Sequence, residues 1–487
     1  MDQPHHGFLI FSDRNKSYMS TTNAPASINS KDTPAMRAAL RYANKGDLTT
    51  GPVRGHLVRL SVPMVWALMA IISVQLVDTY FISLIGKTEL TGMSFTFPVT
   101  MLISHLVFGL NVAMSSVISR MIGEKNMTDA KRITLHGIIL AFIVASIIAI
   151  ISYLALDPLF RMLGADETTL PVIHDYMPIW LLASALLAIP VNANSAIRAA
   201  GDTFMPSMVM ITIALTNLVL APVLIFGWFG LPALGVFGAG LSTLLAYVCG
   251  LVLALYILIV KKDMLPRDGL YLSTFGDSTR RLAVIAIPVG ISNIITPAMS
   301  AVVVAVLATH GPEAVAAFGV VSRIEAFSLL VVIALALGMA PIVGQNWGAG
   351  LYARVHETIK TSIAINFIWS FCVAFIFAIG AQTIAAQFTD DPLIIHYIVL
   401  YFWMVPITYA FGNLVFGWSS AFNAMGLPKK AFIMIAVKSI ALTIPAVYLG
   451  SAFYGVAGVF FGLALVNILS GVVFHVLSQR SLALQNS

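Results

Sequence analysis

From Leu57 onward the chain is a train of apolar blocks, each about 20 residues or longer, separated by short polar breaks. A block of about 20 apolar residues is what an α-helix needs to cross ~30 Å of hydrocarbon. Within lipid only helices and closed barrels satisfy their own backbone, and a barrel needs shorter, alternating segments. Twelve blocks read as spanning helices: 57–84, 94–119, 134–156, 172–197, 205–229, 236–260, 281–308, 318–343, 361–387, 393–423, 431–450 and 454–478. The expected fold class is all-α, a polytopic membrane protein with twelve transmembrane helices.

Composition closes off a soluble alternative. Of 487 residues, 59% are hydrophobic and 10% charged, against about 25% charged in soluble domains. The formal charge of +6 does not imply a nucleic-acid partner, because the basic residues are scattered among loops. Cys249 and Cys372 lie in apolar blocks and form neither a disulfide framework nor a metal motif, so they read as small apolar filler. No metal or organic cofactor is expected. Residues 1–55, rich in Ser, Thr, Asn and Pro and without a signal-peptide core, read as a disordered tail.

The basic residues then orient the chain. The tail, the even-numbered loops and the C-terminus, with the span ends adjoining them, hold 23 of the 27 Lys and Arg. The odd-numbered loops hold two, Lys87 and Arg161, and two more, Arg323 and Lys438, lie inside spans. Excess Lys and Arg mark the cytoplasmic side, so both termini are expected in the cytoplasm. A miscounted helix would have scrambled this asymmetry.

The chain also repeats itself. At an offset of 225 residues, RLSVPM (Pro63) meets VIAIPV (Pro288) and SLIGKTELTGM (Gly86) meets LATHGPEAVAAF (Gly311). At the same offset, AMSSVISRMIGEKN (Gly123) meets GMAPIVGQNWGAGL (Gly348), and SAIRAAGDTFMP (Gly201) meets SAFNAMGLPKKA (Gly426). The offset later drifts, with LGVFGAG at Gly235 meeting YGVAGVFFG at Gly455. An even number of helices per repeat makes the two halves parallel, related by an axis along the membrane normal with a cleft between them. The expected units are the tail (1–55), a first six-helix lobe (56–260), a connecting loop (261–280) and a second six-helix lobe (281–487).

Proline in the first helix, then VDTYFISLIGKTELTGMS, IRAAGDTFMP, LGVFGAG and GMAPIVGQNWGAG, together resemble the multidrug and toxin extrusion (MATE) family over residues 56–478. The resemblance implies an ion-driven antiporter, not an enzyme. It would expel cationic and amphipathic drugs in exchange for H⁺ or Na⁺ across a bacterial inner membrane and contribute to drug resistance, acting as a monomer in the bilayer. Within the family the chain looks closest to the DinF-like branch, which keeps its key carboxylate in the first helix. The NorM-like branch adds acids in the seventh and tenth helices, and spans 281–308 and 393–423 carry none in their interior.

Asp78 is that carboxylate. A charge at membrane depth costs about 3 kcal/mol on insertion scales. It becomes a switch when it lines a cavity open to one side at a time, binding a proton from outside and releasing it inside. Asp78 lies 15 residues after Pro63, about 22 Å along a helix, which places it in the outer half. Its counterpart at the 225-residue offset is Val303, so the fold does not require an acid there. The competing view is an aspartate near the helix end that is already wet. In the family, protonation here is linked to bending of the first helix, the conformational role expected of Pro63.

Other polar residues are candidates for the same site: Gln75 on the same face as Asp78, Asn192 and Asn194 in the fourth helix, Thr216 and Asn217 in the fifth, and Ser242, Thr243 and Tyr247 in the sixth. Of these, Gln75, Asn194, Asn217 and Thr243 are assigned to the coupling ion, and Asn192 and Tyr247 to the substrate cavity. Each alone is more often a helix–helix hydrogen bond. The family pattern places a second polar residue four after Asn217, where this chain has Ala221. That weakens a multi-oxygen Na⁺ cage and favours H⁺. In the second half, Glu325 is expected to pair with Lys438 or Arg323. The alternative places Arg323 and Glu325 in the substrate cavity. Ser119/Gly123 and Gly344/Gly348 have the small-xxx-small spacing of close helix packing.

The alternative function is a lipid-linked oligosaccharide flippase of the same broad fold, which should line its cavity with several Arg or Lys. Away from the span ends, only Arg323 and Lys438 fall inside the spans. An intramembrane enzyme lacks support, since neither HExxH nor GxSxG occurs.

Overall fold

The computed structural model describes residues 46–267 and 269–483. Ten helices long and apolar enough to cross a membrane come first: α1 (Val53–Ile85), α2 (Lys87–Gly123), α3 (Met127–Leu154), α4 (Leu170–Ala199), α5 (Phe204–Phe226), α6 (Gly235–Lys261), α7 (Leu272–Ala308), α8 (Pro312–Gly348), α9 (Tyr352–Ala385) and α10 (Pro392–Ala424). An eleventh helical stretch, Pro428–Ala483, has 56 residues. It is not one span. The backbone leaves helical geometry at Tyr454 (φ −135°) and Gly455 (φ 58°, ψ −138°). Beyond the break, Gly458 packs on Gly450 and Gly462 on Ala446. Each pair sums to 908, the signature of an antiparallel hairpin. Gly455 supplies the left-handed turn that other residues resist, and the bare glycine faces let the two backbones touch. The stretch is therefore α11 (428–453) and α12 (456–483), and the described residues contain the expected twelve spans. Several helices outrun the apolar blocks: α2, for example, starts at Lys87 rather than 94, because polar end turns continue the helix beyond the hydrocarbon.

The two halves pack alike. In the first lobe α2 packs on α3 and α4, α4 on α6, and α5 on α6 and α1; in the second, α8 packs on α9 and α10, α10 on α12, and α11 on α12 and α7. Contacts between lobes follow the same symmetry: α1 lies against α8, α7 against α2, and α2 against α8.

The α2–α8 contact lies on the pseudo-two-fold axis. Ser119 and Gly344 are repeat equivalents (344 − 119 = 225), and the Ser119 hydroxyl occupies the space a Cβ on Gly344 would need. On either side, Gly123 abuts the carbonyl of Gln345 while Gly348 abuts that of Arg120, two contacts exchanged by the same offset. The small-xxx-small motifs thus pack against each other, and they do so between lobes.

This seam lies at the face carrying most Lys and Arg, here termed the basic face. Core packing shows the same polarity. Near the basic face each apolar cluster draws on both lobes: α7 residues Leu282, Ile285 and Val289 join the first lobe's core, and α1 residues Leu57 and Leu60 join the second's. Toward the opposite face the two clusters are separate, one built from residues of α1–α6 and their connections, the other from α7–α12. Val303, the repeat counterpart of Asp78, is 4% exposed within the latter. The lobes are joined at the basic face and independent at the other.

One expectation about the tail is corrected. Residues 1–45 lie outside the described residues, but the last part of the 1–55 segment is built into the seam. Leu48 is fully buried. Its N–H donates to Gln345 Oε1 (3.0 Å), and its carbonyl accepts from Asn346 Nδ2 (3.0 Å) and from Arg354 Nη2 (3.2 Å). Gln345 Nε2 in turn donates to the Ala199 carbonyl on α4 (2.7 Å). Polar composition hid this strap, because its hydrogen-bond partners lie some 300 residues away.

Close backbone packing makes the seam sensitive to a single methyl. Overpacking costs about 1–3 kcal/mol, so Gly348→Ala should accelerate maleimide labelling of a Ser116→Cys reporter roughly tenfold. The background would be Cys249→Ser and Cys372→Ser, since both native thiols are exposed. An unchanged labelling rate would show that this contact is not the barrier.

Candidate functional site

Asp78 stands on α1 seven residues before Ile85, about 10 Å from the end away from the basic face. It is half-buried. Tyr176 of α4 and Tyr247 of α6 lie within range of its charge, so the carboxylate faces the interior of the first lobe. No hydrogen bond or ion pair among the described residues reaches it. α1 passes through Pro63 as a continuous helix.

Some of the predicted companions assemble at this level and others do not. Asn217 Nδ2 donates to Thr243 Oγ1 at 3.2 Å, while Asn217 Oδ1 is buried without a partner. Both residues lie, like Asp78, in the half of the lobe away from the basic face. Tyr247 belongs with Asp78 rather than with a separate cavity, and Tyr176 is a neighbour that the sequence reading omitted. Gln75 shares the helix but is exposed. Asn192 and Asn194 do not belong to this group. They are 16 and 18 residues beyond Tyr176 on α4, about 24 and 27 Å along the helix. Asn192 Nδ2 donates to its own helix at Ala188 (2.8 Å), and the side-chain oxygens of both asparagines are buried and unpaired. Residues of one helix were grouped by type, and helix length separates them.

In the second lobe the expected ion pair is absent among the described residues. Tyr401 donates its hydroxyl to Glu325 Oε2 at 3.0 Å. Lys438 Nζ instead donates to the Gly412 carbonyl at 3.1 Å. Lys438 sits in a π-helical segment, Val437–Thr443, whose wider winding displaces side chains from α-helical register. Arg323 is exposed.

A third polar site went unnoticed in the sequence. Arg198, placed one residue beyond the fourth block and counted with the loop charges, is 2% exposed. Its Nη2 donates to Asn111 Oδ1 at 2.9 Å, and Asn111 Nδ2 donates to the Val191 carbonyl at 2.7 Å. Arg198 lines a cavity of ≈ 110 Å³ between the lobes, beside Asn111, Ser116, Ser292, Ser420 and Asn423. The repeat offset carried the signal: Arg198 and Asn423 are equivalents (423 − 198 = 225).

Comparison with known proteins gives consistent relatives. The MatE family model matches residues 63–223 and 288–449, two segments whose starts are 225 residues apart (288 − 63). An FAD transporter of Shewanella oneidensis is 34% identical over 433 residues, covering 89% of this chain and 96% of the relative. The multidrug export protein MepA of Staphylococcus aureus is 23% identical, covering 86% of this chain and 92% of the relative. The crystal structure of the Vibrio cholerae MATE transporter VcmN in its bent form superposes with a TM-score of 0.85, covering 89% of this chain and 98% of that one at 28% identity.

An unpaired, half-buried carboxylate destabilises a fold, because desolvation is not offset by a partner. Asp78→Asn should therefore leave the melting temperature of the purified protein unchanged or raise it by about a degree or more. A clear fall would mean that Asp78 holds the lobe together.

Proposed function

The chain belongs to the MatE family of membrane transporters, and on that premise we propose that it is a secondary antiporter exporting amphipathic organic solutes in exchange for H⁺. The observation that carries this reading is the inward-facing carboxylate of Asp78, without a partner among the described residues, at the level of Tyr176, Tyr247 and the Asn217–Thr243 pair. In the proposed orientation the basic face lies in the cytoplasm of a bacterium and the membrane is its inner membrane. The structure then corresponds to a state sealed toward the cytoplasm, with the lobes apart on the outside.

In that state Asp78 exchanges protons with the exterior. Protonation removes the cost of carrying a charge through the bilayer interior, about 2.5–3.5 kcal/mol on insertion scales. The neutral lobe can then rearrange, parting the Ser119–Gly344 seam and closing the outer cleft. Facing the cytoplasm, the acid loses its proton and solute enters. Each pH unit of gradient contributes about 1.36 kcal/mol per proton. Asn217 and Thr243 offer too few oxygens, with Ala221 apolar, to replace a hydrated Na⁺ shell, which supports H⁺ as the coupling ion.

Two solute classes have support. Drugs are favoured by the likeness to the multidrug export protein MepA, and the family resemblance makes cationic and amphipathic ones the expected kind. The second reading is a flavin dinucleotide, favoured by 34% identity to an FAD transporter across nearly the whole of both chains.

Proteoliposomes with an imposed pH or Na⁺ gradient test both points. A pH gradient alone should drive movement of a cationic dye or of FAD, and Asp78→Asn should reduce the driven rate at least tenfold while solute binding persists. Movement that follows only Na⁺, or an undiminished rate in the variant, would refute the coupling scheme. Whichever of the two solutes moves identifies the class.

A further inference from the structure

The cavity around Arg198 does not belong to the Asp78 site. It lies in the half of the protein nearer the basic face, between α2, α7, α8 and α10, where the lobes meet. Its only charge is a guanidinium 98% removed from solvent (2% exposed), and no ion pair among the described residues involves it. The partner it has, Asn111, is neutral and is itself anchored to the Val191 carbonyl, so it aims the guanidinium without neutralising it. The end of α4 offers only partial charges. An arginine left in this condition is costly within a membrane and marks a pathway or ligand.

The opposite wall carries the second observation. Asn423, the repeat equivalent of Arg198, is 8% exposed, and its Oδ1 is buried with no hydrogen-bond partner. A side-chain amide presents a donor or an acceptor on rotation by a half-turn. Ser115 and Ser419 complete the wall, with Ser292 and Ser420, whose hydroxyls donate to the Pro288 and Ala336 carbonyls. Lined by one fixed cation, the Asn423 amide, small hydroxyls and no carboxylate, the chamber is complementary to an oxyanion. At ≈ 110 Å³ it is below the roughly 300–1,000 Å³ of a drug pocket, so it fits a single group of a larger molecule.

The approach to the chamber is also basic. One turn nearer the basic face, along the same α2–α7 groove, an open pocket of ≈ 430 Å³ is lined by Arg120, Arg280 and Arg281, with Glu124 the one acid. Ser116 and Arg120, joined by the Arg120 Nε to Ser116 carbonyl bond (3.2 Å), connect the two spaces. A surface of one sign leading to a buried charge of the same sign concentrates counter-ions.

We infer that the Arg198–Asn423 chamber, entered past Arg120, Arg280 and Arg281, binds the phosphate or pyrophosphate group of an anionic solute as it enters from the basic face. This deepens the second reading of solute class and rests on the transporter assignment. It divides the labour between two sites. Arg198 receives the solute's anionic end near the basic face, and Asp78 handles the proton in the far half of the first lobe. A seam that parts at Ser119–Gly344 would open the chamber directly, since Ser116 lines it.

The test uses the full chain in phosphatidylcholine nanodiscs, with inorganic pyrophosphate titrated by calorimetry and tetraphenylphosphonium as an organic cation. Pyrophosphate should bind to the unmodified chain. Arg198→Gln should weaken that binding at least tenfold, Arg198→Lys should retain part of it, and tetraphenylphosphonium binding should not change in either. Arg280→Gln with Arg281→Gln should slow pyrophosphate association and flatten its salt dependence. Asp78→Asn should bind pyrophosphate normally, so failure of proton coupling is separable from failure of this site. Equal pyrophosphate affinity in Arg198→Gln, no binding to the unmodified chain, or parallel loss of both ligands in Arg198→Gln would each overturn the inference. So would a result in which phosphatidylglycerol, but not pyrophosphate, stabilises the protein through Arg198, since that assigns the oxyanion to a lipid headgroup.

Discussion

Two backbones meet with little more than the Ser119 side chain between them where α2 and α8 cross on the pseudo-two-fold axis. Everything else in the structure is arranged around that crossing. Ser119 faces Gly344, and Gly123 and Gly348 each receive a carbonyl from the other helix. In lipid no hydrophobic force favours helix association, so close packing of small residues has to supply it. Because the contact sits on the axis, each lobe donates the same motif. The separate apolar clusters at the far face and the shared ones at the basic face are the consequence.

Charges within the bundle are placed with the same economy. Glu325 accepts a hydrogen bond from Tyr401, and Lys438 donates to a backbone carbonyl. Arg198 is braced by an amide, and Asp78 has Tyr176 and Tyr247 within reach of its charge. The first two are satisfied within their lobe and need no further explanation. The other two are left incomplete among the described residues, one acid and one base, in opposite halves of the bundle. A group that is buried and incomplete changes state when something binds to it, and a transporter requires that property.

Much of the architecture is legible in the sequence. Apolar block length identified the spans, including the α11–α12 pair that the structure joins through one helical stretch, because hydrocarbon thickness sets a minimum length. The offset of 225 residues foretold the pseudo-symmetry, and small-xxx-small spacing marked Ser119/Gly123 and Gly344/Gly348 for close helix packing, though not for packing between the lobes. Asp78 stood out because an acid in an apolar block is costly and its repeat counterpart is Val303. The errors share one cause. Asn192 and Asn194 were grouped with Asp78, Glu325 with Lys438, and residues 46–50 with the tail, because residue type says what a side chain could bond to but not what lies opposite.

The sequence by itself determined which segments cross the membrane, that they do so twice over in one pattern, and which acid is anomalous. These are one-dimensional properties, governed by transfer of each residue from water to lipid. Only the tertiary structure decided that Arg198 turns into a chamber instead of a loop, that Asn423 faces it, that Glu325 chooses Tyr401, and that Leu48 straps the lobes together. Each of these depends on which helices become neighbours and how they are rotated, and apolar helices in an apolar solvent carry little of that information along their length.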